Sequence, residues 1–543
     1  MKKYNVIYYV LSIIAVINMT RCDTNLDEKV FSEITEVSYN YKPDDWNASI
    51  AGVYYNARGS NDRFTFNVFY HTQELTAPCL GLFPNVSGWN DGGIYLALHF
   101  HSWNSELASI NTMWNNFWGG VVLCNSALER IEKGIIPSPS ESAKNTALAE
   151  IRTVRAYYYW RICDNYGDAP LVTTLTQELP EKVSRTEIYD FIVKELNDAI
   201  PYLKEEVNRT TYGTFHKWAA KCLLANIYLN AEVYTGTARW NECIKECDDI
   251  INSGKCELSS EYKNSFRTTG VEDSKEVLFA LVFDNVQRVT GNAVWVQSWH
   301  RELRKKYLTN ATPNEAGGAK AIGQFIDTYQ EGDGRLDDTW LHGLQYDYEG
   351  NLLTGLYDMP GQPLNFTKDL PSAYFTNEME GYRMNKYEVE VGAETNSNTD
   401  LPMFRYAEVL LMKAECLLRT GNPGAGALVT QVRQRNFKDD PSKAIVTDEQ
   451  LKDDSSYPWG YIENYNIVDP GNQDPVQFGR LYDEWNWEFA YEFRARQIAI
   501  RFGVFTTKSW LSHKPQGAHR TVFPIPERAI TSNPKLMQNP AYL

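Results

Sequence analysis

A mainly α-helical fold built from helix hairpins, carrying a large irregular insertion with short strands, is predicted by three features of the 543-residue sequence. Apolar residues recur at three- and four-residue steps through about 105–250 and again through about 400–503. Clusters of Gly, Pro and Asn cut those stretches into pieces of helix length. Between about 260 and 398 the periodicity gives way to Val, Trp and Tyr alternating with Gly, Asn and Asp.

The chain opens on Met1-Lys2-Lys3, followed by 14 residues from Val6 to Met19 with an apolar character, and then Cys22. At about 1.5 Å per residue such a run is too short to span a bilayer but suits the core of an export signal. Residues 1–21 therefore read as a lipoprotein signal peptide and Cys22 as the lipidation site, although Arg21 stands where a small residue is usual. Residues 22–40, with the polar run Asp23 to Lys29, read as a tether, and 41–543 as a single body. No later segment reaches 18 consecutive apolar residues, so the expected membrane link is N-terminal. One acyl chain binds only marginally, so firm anchoring requires a diacyl-plus-amide lipid.

Within the body, Leu107, Ile110, Trp114, Phe117, Val121, Leu128 and Ile131 predict a helix from Ser105 to Lys133. A Pro/Ser break at Pro137 to Ser140 ends it, and a second helix from about Ser142 to Cys163 stops at Asn165-Tyr166-Gly167-Asp168-Ala169-Pro170. A third runs from Thr186 to Tyr202, entered through Ser184 with Glu187 as capping-box partner. Phe215 to Leu229 and Thr237 to Ile250 follow. In the C-terminal third, Met403, Ala407, Leu410, Ala414 and Leu417 form one stripe; Gly421-Asn422-Pro423 closes it and Ala427, Leu428 and Val432 begin a partner. Such pairs are tetratricopeptide-like in geometry, without a regular repeat. In the insertion the clearest strand is Val277 to Phe283.

A net charge of -16 disfavours nucleic acid and anionic lipid, which need a basic surface. With 15 Trp, 34 Tyr and 23 Phe the chain instead carries the flat rings on which sugar C–H faces stack. Cys243, Cys247 and Cys256 read as small buried hydrophobes, and His99-x-His101 as loop or surface residues. The acidic run Asp327, Glu331, Asp333, Asp337 and Asp338 reads as an exposed loop. No cofactor is expected; a structural calcium ion at Asp333 and its neighbours is the weakly supported alternative, since the spacing does not fit an EF-hand.

Several segments together resemble the RagB/SusD family of outer-membrane nutrient-binding lipoproteins. These are Phe404-Arg405-Tyr406-Ala407-Glu408, Val432-Arg433-Gln434-Arg435, Glu488-Phe489-Ala490-Tyr491-Glu492 with Arg501-Phe502-Gly503, and the closing Phe523-Pro524-Ile525-Pro526 and Asn533-Pro534-Lys535-Leu536-Met537-Gln538-Asn539-Pro540. Within the expected last long helix, Phe493 occupies a usual glycine, Ala495 a usual arginine and Ile498 a usual aspartate. The resemblance implies a non-catalytic protein on the extracellular side of the outer membrane that binds oligosaccharide or polysaccharide and delivers it to a partner TonB-dependent (SusC-like) transporter. Peptide cargo is the alternative within that type.

The candidate ligand platform combines Trp89, Asn90 and Asp91 with Trp295, Gln297 and Trp299, pairing stacking planes with amides and a carboxylate. A glycoside hydrolase is the remote alternative, because it requires two carboxylates held across a cleft. A purely protein-binding helical adaptor would have no need of exposed Trp89 and Trp295.

Overall fold

The computed structural model describes residues 45–57, 63–87, 90–176, 178–283, 294, 297–310, 317–393 and 397–542. The expected signal peptide, tether and Cys22 lie outside them. Trp46–Leu543 forms one unit. Helix α1 (Arg63–Glu74) and the short α2 (Ile94–His99) precede the stack α3 (Ala108–Glu132), α4 (Glu141–Tyr166), α5 (Arg185–Ala199), α6 (Lys217–Leu229) and α7 (Trp240–Asn252). Among the described residues no helix is long and apolar enough to cross a membrane.

Helix α3 buries Ile110, Trp114, Phe117, Val121, Leu128 and Ile131 against α4. The Ser140 side chain caps α4 by accepting from Ala143 N at 3.1 Å. The sequence pattern predicts one apolar face on α4, yet every side chain from Thr153 to Tyr166 is buried, because α3, α5 and α6 all pack against it. Helix α5 begins with the expected capping box, Ser184 Oγ accepting from Glu187 N at 3.2 Å and Ser184 N donating to Glu187 Oε2 at 3.0 Å.

From α7 the stack passes directly to α8 (Tyr406–Thr420) and α9 (Ala425–Arg433), so the insertion leaves and re-enters at one seam. That seam is closed by antiparallel pairing of β2 (Val277–Leu281) with β4 (Leu401–Arg405). Met403 therefore lies on a strand and the helix starts later than its stripe predicts. The cause is long-range, since residues on both sides of Met403 pair with β2, and Pro402 favours extended backbone at Leu401. A second pair, β1 (Leu80–Leu82) with β3 (Ala319–Ala321), ties the insertion to the α1–α2 connection.

The expected last long helix is broken into α10 (Gly479–Phe489) and α11 (Ala495–Arg501). Between them Tyr491 and Phe493 take left-handed φ values of 66° and 63°, so Phe493 adopts the glycine-like backbone of the residue it replaces. Stacking holds that strained turn: Tyr491 lies on Tyr70 at 6.0 Å and Phe493 on Phe69 at 5.9 Å, both from α1.

The motif residues meet in a buried charge network. Arg405 pairs with Glu276 at 2.7 Å, Glu488 at 2.9 Å and Glu492 at 2.6 Å; Arg435 reaches Glu276 at 2.6 Å and Glu488 at 2.7 Å. Arg335 joins Asp333 at 2.6 Å and Glu484 at 3.1 Å, and Arg433 also pairs with Glu484. Burial alone would raise the Glu276 carboxyl, but Arg435 and Arg405 pull it down to about 2.

This network corrects two readings. Asp333, expected in an exposed loop, is buried with both oxygens held by Arg335. Among the described residues no cluster of three or more His, Cys, Asp or Glu is arranged to hold a metal. His99 and His101 are not at the surface either: both are fully buried with His513, whose ring lies 4.2 Å from that of His101. Cys243, Cys247 and Cys256 are buried free thiols, as expected of small core residues.

Candidate functional site

The predicted binding segment begins with a turn dictated by two glycines. Asp91, Gly92 and Gly93 have φ values of 46°, 66° and 81°, which an ordinary side chain resists. Asn90 Oδ1 accepts from Gly92 N at 3.2 Å and Asn90 O from Gly93 N at 2.8 Å, so the turn leads straight into α2. Asn90 and Asp91 are exposed. Asp91 also hydrogen-bonds the Tyr95 hydroxyl, and burial followed by the Asp91 charge pushes that phenol up.

His71 of α1 joins this turn to the second predicted region. Its ring packs edge-on to Tyr95 at 4.7 Å, and its Nε2–H donates to Gln297 Oε1. Burial lowers the imidazole to about 4, which keeps it neutral and able to play that donor role at neutral pH. Gln297 O in turn accepts from Gly318 N at 3.0 Å, and Asn85 Nδ2 donates to Gly317 O at 3.0 Å. The structure thus brings Asn90, Asp91 and Gln297 to one neighbourhood; Trp89 and Trp295 lie outside the described residues.

Trp299 is placed elsewhere and corrects the expectation of a stacking face. It is 1% exposed, stacks on Tyr307 at 4.2 Å and donates its indole N–H to Met384 O at 2.9 Å. The core claims it because residues 298–300 are the segment that crosses the interior: Ser298 Oγ bonds Ala319 O at 2.8 Å and His300 bonds Glu378 at 2.9 Å.

The loop 372–384 supplies exposed rings for which the sequence gives no periodic signal. Tyr374 and Phe375 are 58% and 50% exposed. Tyr374 packs on Phe100 at 5.2 Å, and Phe100 closes α2, whose other end is the Asn90–Gly93 turn. A six-residue helix, about 9 Å long, separates Phe100 from the turn.

Two buried cations hold this loop by its backbone. Lys320 Nζ donates to Thr376 Oγ1 at 2.7 Å and Asn377 O at 2.8 Å, while Arg383 donates to Glu380 O at 2.7 Å and Glu378 O at 3.0 Å. Burial lowers Lys320 well below the usual lysine range and Arg383 to about 9. Gly381, at φ 77°, leaves room for Lys320, whose Cβ would stand 2.6 Å from any added methyl. Glu378 anchors the neighbouring loop by accepting from the backbone N–H of Leu356, Tyr357 and Met359 at 2.8–2.9 Å. These hubs were invisible in the sequence, since a buried Lys or Arg satisfied by carbonyls has no spacing signature.

Four members of the acidic run stand against basic side chains. Asp327 pairs with Lys368, Asp333 with Arg335, Asp337 with His342 at 2.8 Å and Glu331 with Lys443 at 3.4 Å.

The SusD family model matches residues 254–542, more than half of the chain, and a second model described as starch-binding associating with outer membrane matches 75–229. The chain belongs to the SusD family. Among its relatives is the starch-binding protein SusD of Bacteroides thetaiotaomicron, 25% identical over 432 residues that cover 73% of this chain and 72% of the relative. This SusD-family fold also superposes on a laminarin-binding SusD-like protein with a TM-score of 0.68, 18% identity and coverage of 93% of this chain and 100% of that one. B. fragilis NanU gives a TM-score of 0.71 at 18% identity, over 94% and 99% of the two chains. The similarity to solved structures establishes the SusD-like architecture, mostly helical with few short strands.

Proposed function

We propose that this SusD-family chain captures oligosaccharide or polysaccharide without cleaving it and passes it to a partner TonB-dependent (SusC-like) outer-membrane transporter. It is held in the outer membrane by lipid on Cys22, facing outward. The observation that carries the reading is the exposed ring surface of Tyr374 and Phe375, one short helix away from the Asn90–Gly93 turn that positions Asn90 and Asp91. Rings accept the C–H faces of pyranoses, while the Asn90 amide and Asp91 carboxylate suit paired hydroxyls. Starch and laminarin, named for the relatives above, are the starting ligand class.

A glycan and peptide array on the Cys22→Ala chain tests the reading, followed by calorimetry with the best hit. Glycan binding that falls in Trp89→Ala and Trp295→Ala supports it; a peptide hit, or release of new reducing ends, overturns it. Mild detergent extraction of the native protein should recover a β-barrel partner, the strand architecture able to span a bilayer. Mass analysis of the mature N-terminus tests the lipid on Cys22.

A further inference from the structure

The hairpin formed by β5 (Gly460–Glu463) and β6 (Asn466–Asp469) turns through Asn464 and Tyr465 alone. Their φ values are 47° and 66°, the mirror-image turn for which Asn-Gly is the favoured pair. A tyrosine at its second position is therefore strained. Among the other residues with positive φ, Leu308 is 53% exposed and closes a helix as its C-cap, while Tyr491, Phe493, His101 and Leu511 are locked by packing, each at most 1% exposed. The Tyr465 ring, by contrast, is 56% exposed and so is not retained to fill a core.

Its anchor is polar and specific. The Tyr465 hydroxyl donates to Glu380 Oε1, while Glu380 Oε2 accepts from Asn377 N at 2.7 Å. Asn377 belongs to the loop that displays Tyr374 and Phe375. The hairpin meets that loop at its base as well, where Tyr461 hydrogen-bonds Tyr374 and Lys514 Nζ stands 4.9 Å above the Tyr461 ring. Two attachments, one at each end of β5, register the hairpin against the exposed rings. Strain at an exposed side chain that is tied to the neighbouring site points to a use for that side chain.

We propose that the hairpin tip is a ligand-stacking arm that extends the site along the chain of a neutral oligosaccharide, with Tyr465 as the contact ring and Glu380 as its positioning residue. The inference rests on the glycan-binding reading above. The ligand class follows from the surroundings: a flat exposed ring, a carboxylate beside it, and a strongly acidic protein favour a hydroxyl-rich neutral polymer over an anionic one. An arm that adds its ring to those of Tyr374 and Phe375 lengthens the contact surface, and so selects for chain length.

The test uses the Cys22→Ala chain in native gels cast with starch, laminarin, xylan or pectin. Calorimetry then compares a hexasaccharide and a disaccharide of the polymer that retards it. Tyr465→Gly relieves the turn, so its melting temperature should equal or exceed that of the parent, while hexasaccharide affinity falls about fivefold or more and disaccharide affinity is unchanged. Tyr465→Phe keeps the ring and loses the Glu380 bond, so it should restore part of the lost hexasaccharide affinity. Parental hexasaccharide affinity in Tyr465→Gly, together with a loss in Trp89→Ala, overturns the arm and leaves the glycan reading standing. An equal loss for disaccharide and hexasaccharide overturns the length selection. No retardation of the parent chain in any gel overturns both readings.

Discussion

The interior joining α8, α9 and α10 and the surface formed by loop 372–384 and the β5–β6 hairpin use charge in opposite ways. In the interior, Arg405 and Arg435 share Glu276 and Glu488 as full ion pairs, so each guanidinium meets more than one carboxylate. At the surface loop, Lys320 and Arg383 are equally buried but donate to a hydroxyl and to backbone carbonyls. Paired charges fix how helices meet; cations on carbonyls fix the path of a loop. The residues that mark the family are thus occupied in building the body, and the residues that meet solvent beside the site are of other types. Membership in the family therefore fixes the frame without fixing the ligand.

The largest effect should come from breaking the interior at its shared acid. Glu488→Ala removes the carboxylate that Arg405 and Arg435 hold in common and leaves guanidinium charge buried without it. Loss of one partner of a buried ionic group costs about 3–5 kcal/mol. Urea unfolding followed by circular dichroism should show that loss, and a midpoint unchanged from the parent would remove the network from the account of stability.

Two tryptophans sharpen the same contrast. Trp299→Ala empties a fully buried site and should destabilise by about 3–5 kcal/mol. Trp89→Ala should leave the unfolding midpoint nearly unchanged and weaken glycan binding by about 1–3 kcal/mol, five- to 150-fold. Paired calorimetry and thermal melts of the two variants separate the roles; a Trp89→Ala chain that melts early and binds normally would reverse them.

What the sequence makes legible follows from the kind of signal each feature leaves. Helices α3 to α7 show through their apolar period, and the α5 start through Ser184 and Glu187, because local pattern and local hydrogen bonding agree there. The start of α8 is misplaced because the Met403 stripe has helical spacing while long-range pairing with β2 makes it a strand. Asn90, Asp91 and Gln297 are legible as polar residues beside tryptophans, and the structure joins them through His71, which has no sequence signature of its own. Trp299 fails because aromatic content does not report burial. Tyr374, Phe375 and Tyr465 leave no such signal because their placement depends on Lys320 and Glu380 across 56 and 85 positions, and on Arg383 through backbone carbonyls three and five residues away that no side-chain pattern marks.

A pH series probes a different part of the interior, a cluster of three histidines. His99, His101 and His513 are buried together, with desolvation holding the first two near 3 and His513 well below its usual range; the charges of Arg496 and Arg520 add to the effect at His101. Their folded values lie below the unfolded value of about 6.5, so the unfolded chain takes up protons that the folded one refuses. The stabilisation is present above about pH 6.5 and is lost as pH falls toward the folded values. Each ring contributes a slope of up to about 1.4 kcal/mol per pH unit in that window. Replacing His513 by Phe should flatten the dependence of stability on pH between 6 and 4 by about that amount, and an unaltered slope would show that the cluster takes up protons while folded.

The smallest effects come from two side chains that do the same local chemistry in the two regions. Ser140 Oγ accepts from Ala143 N at the start of α4, and Asn90 Oδ1 accepts from Gly92 N in the turn before α2. Ser140→Ala should cost about 1 kcal/mol of stability, the usual value of a helix N-cap, and leave binding untouched, since α4 is a scaffold helix. Asn90→Ala removes a comparable bond from an exposed turn already shaped by Gly92 and Gly93, so the fold should hold. The Asn90 amide, however, faces solvent beside the aromatic surface, and its loss should weaken glycan binding by about 1 kcal/mol, the net worth of one hydrogen bond. Thermal melts and calorimetry on the pair read both quantities; a binding loss in Ser140→Ala equal to that in Asn90→Ala would mean that scaffold and surface are coupled, and the division drawn between them would fail.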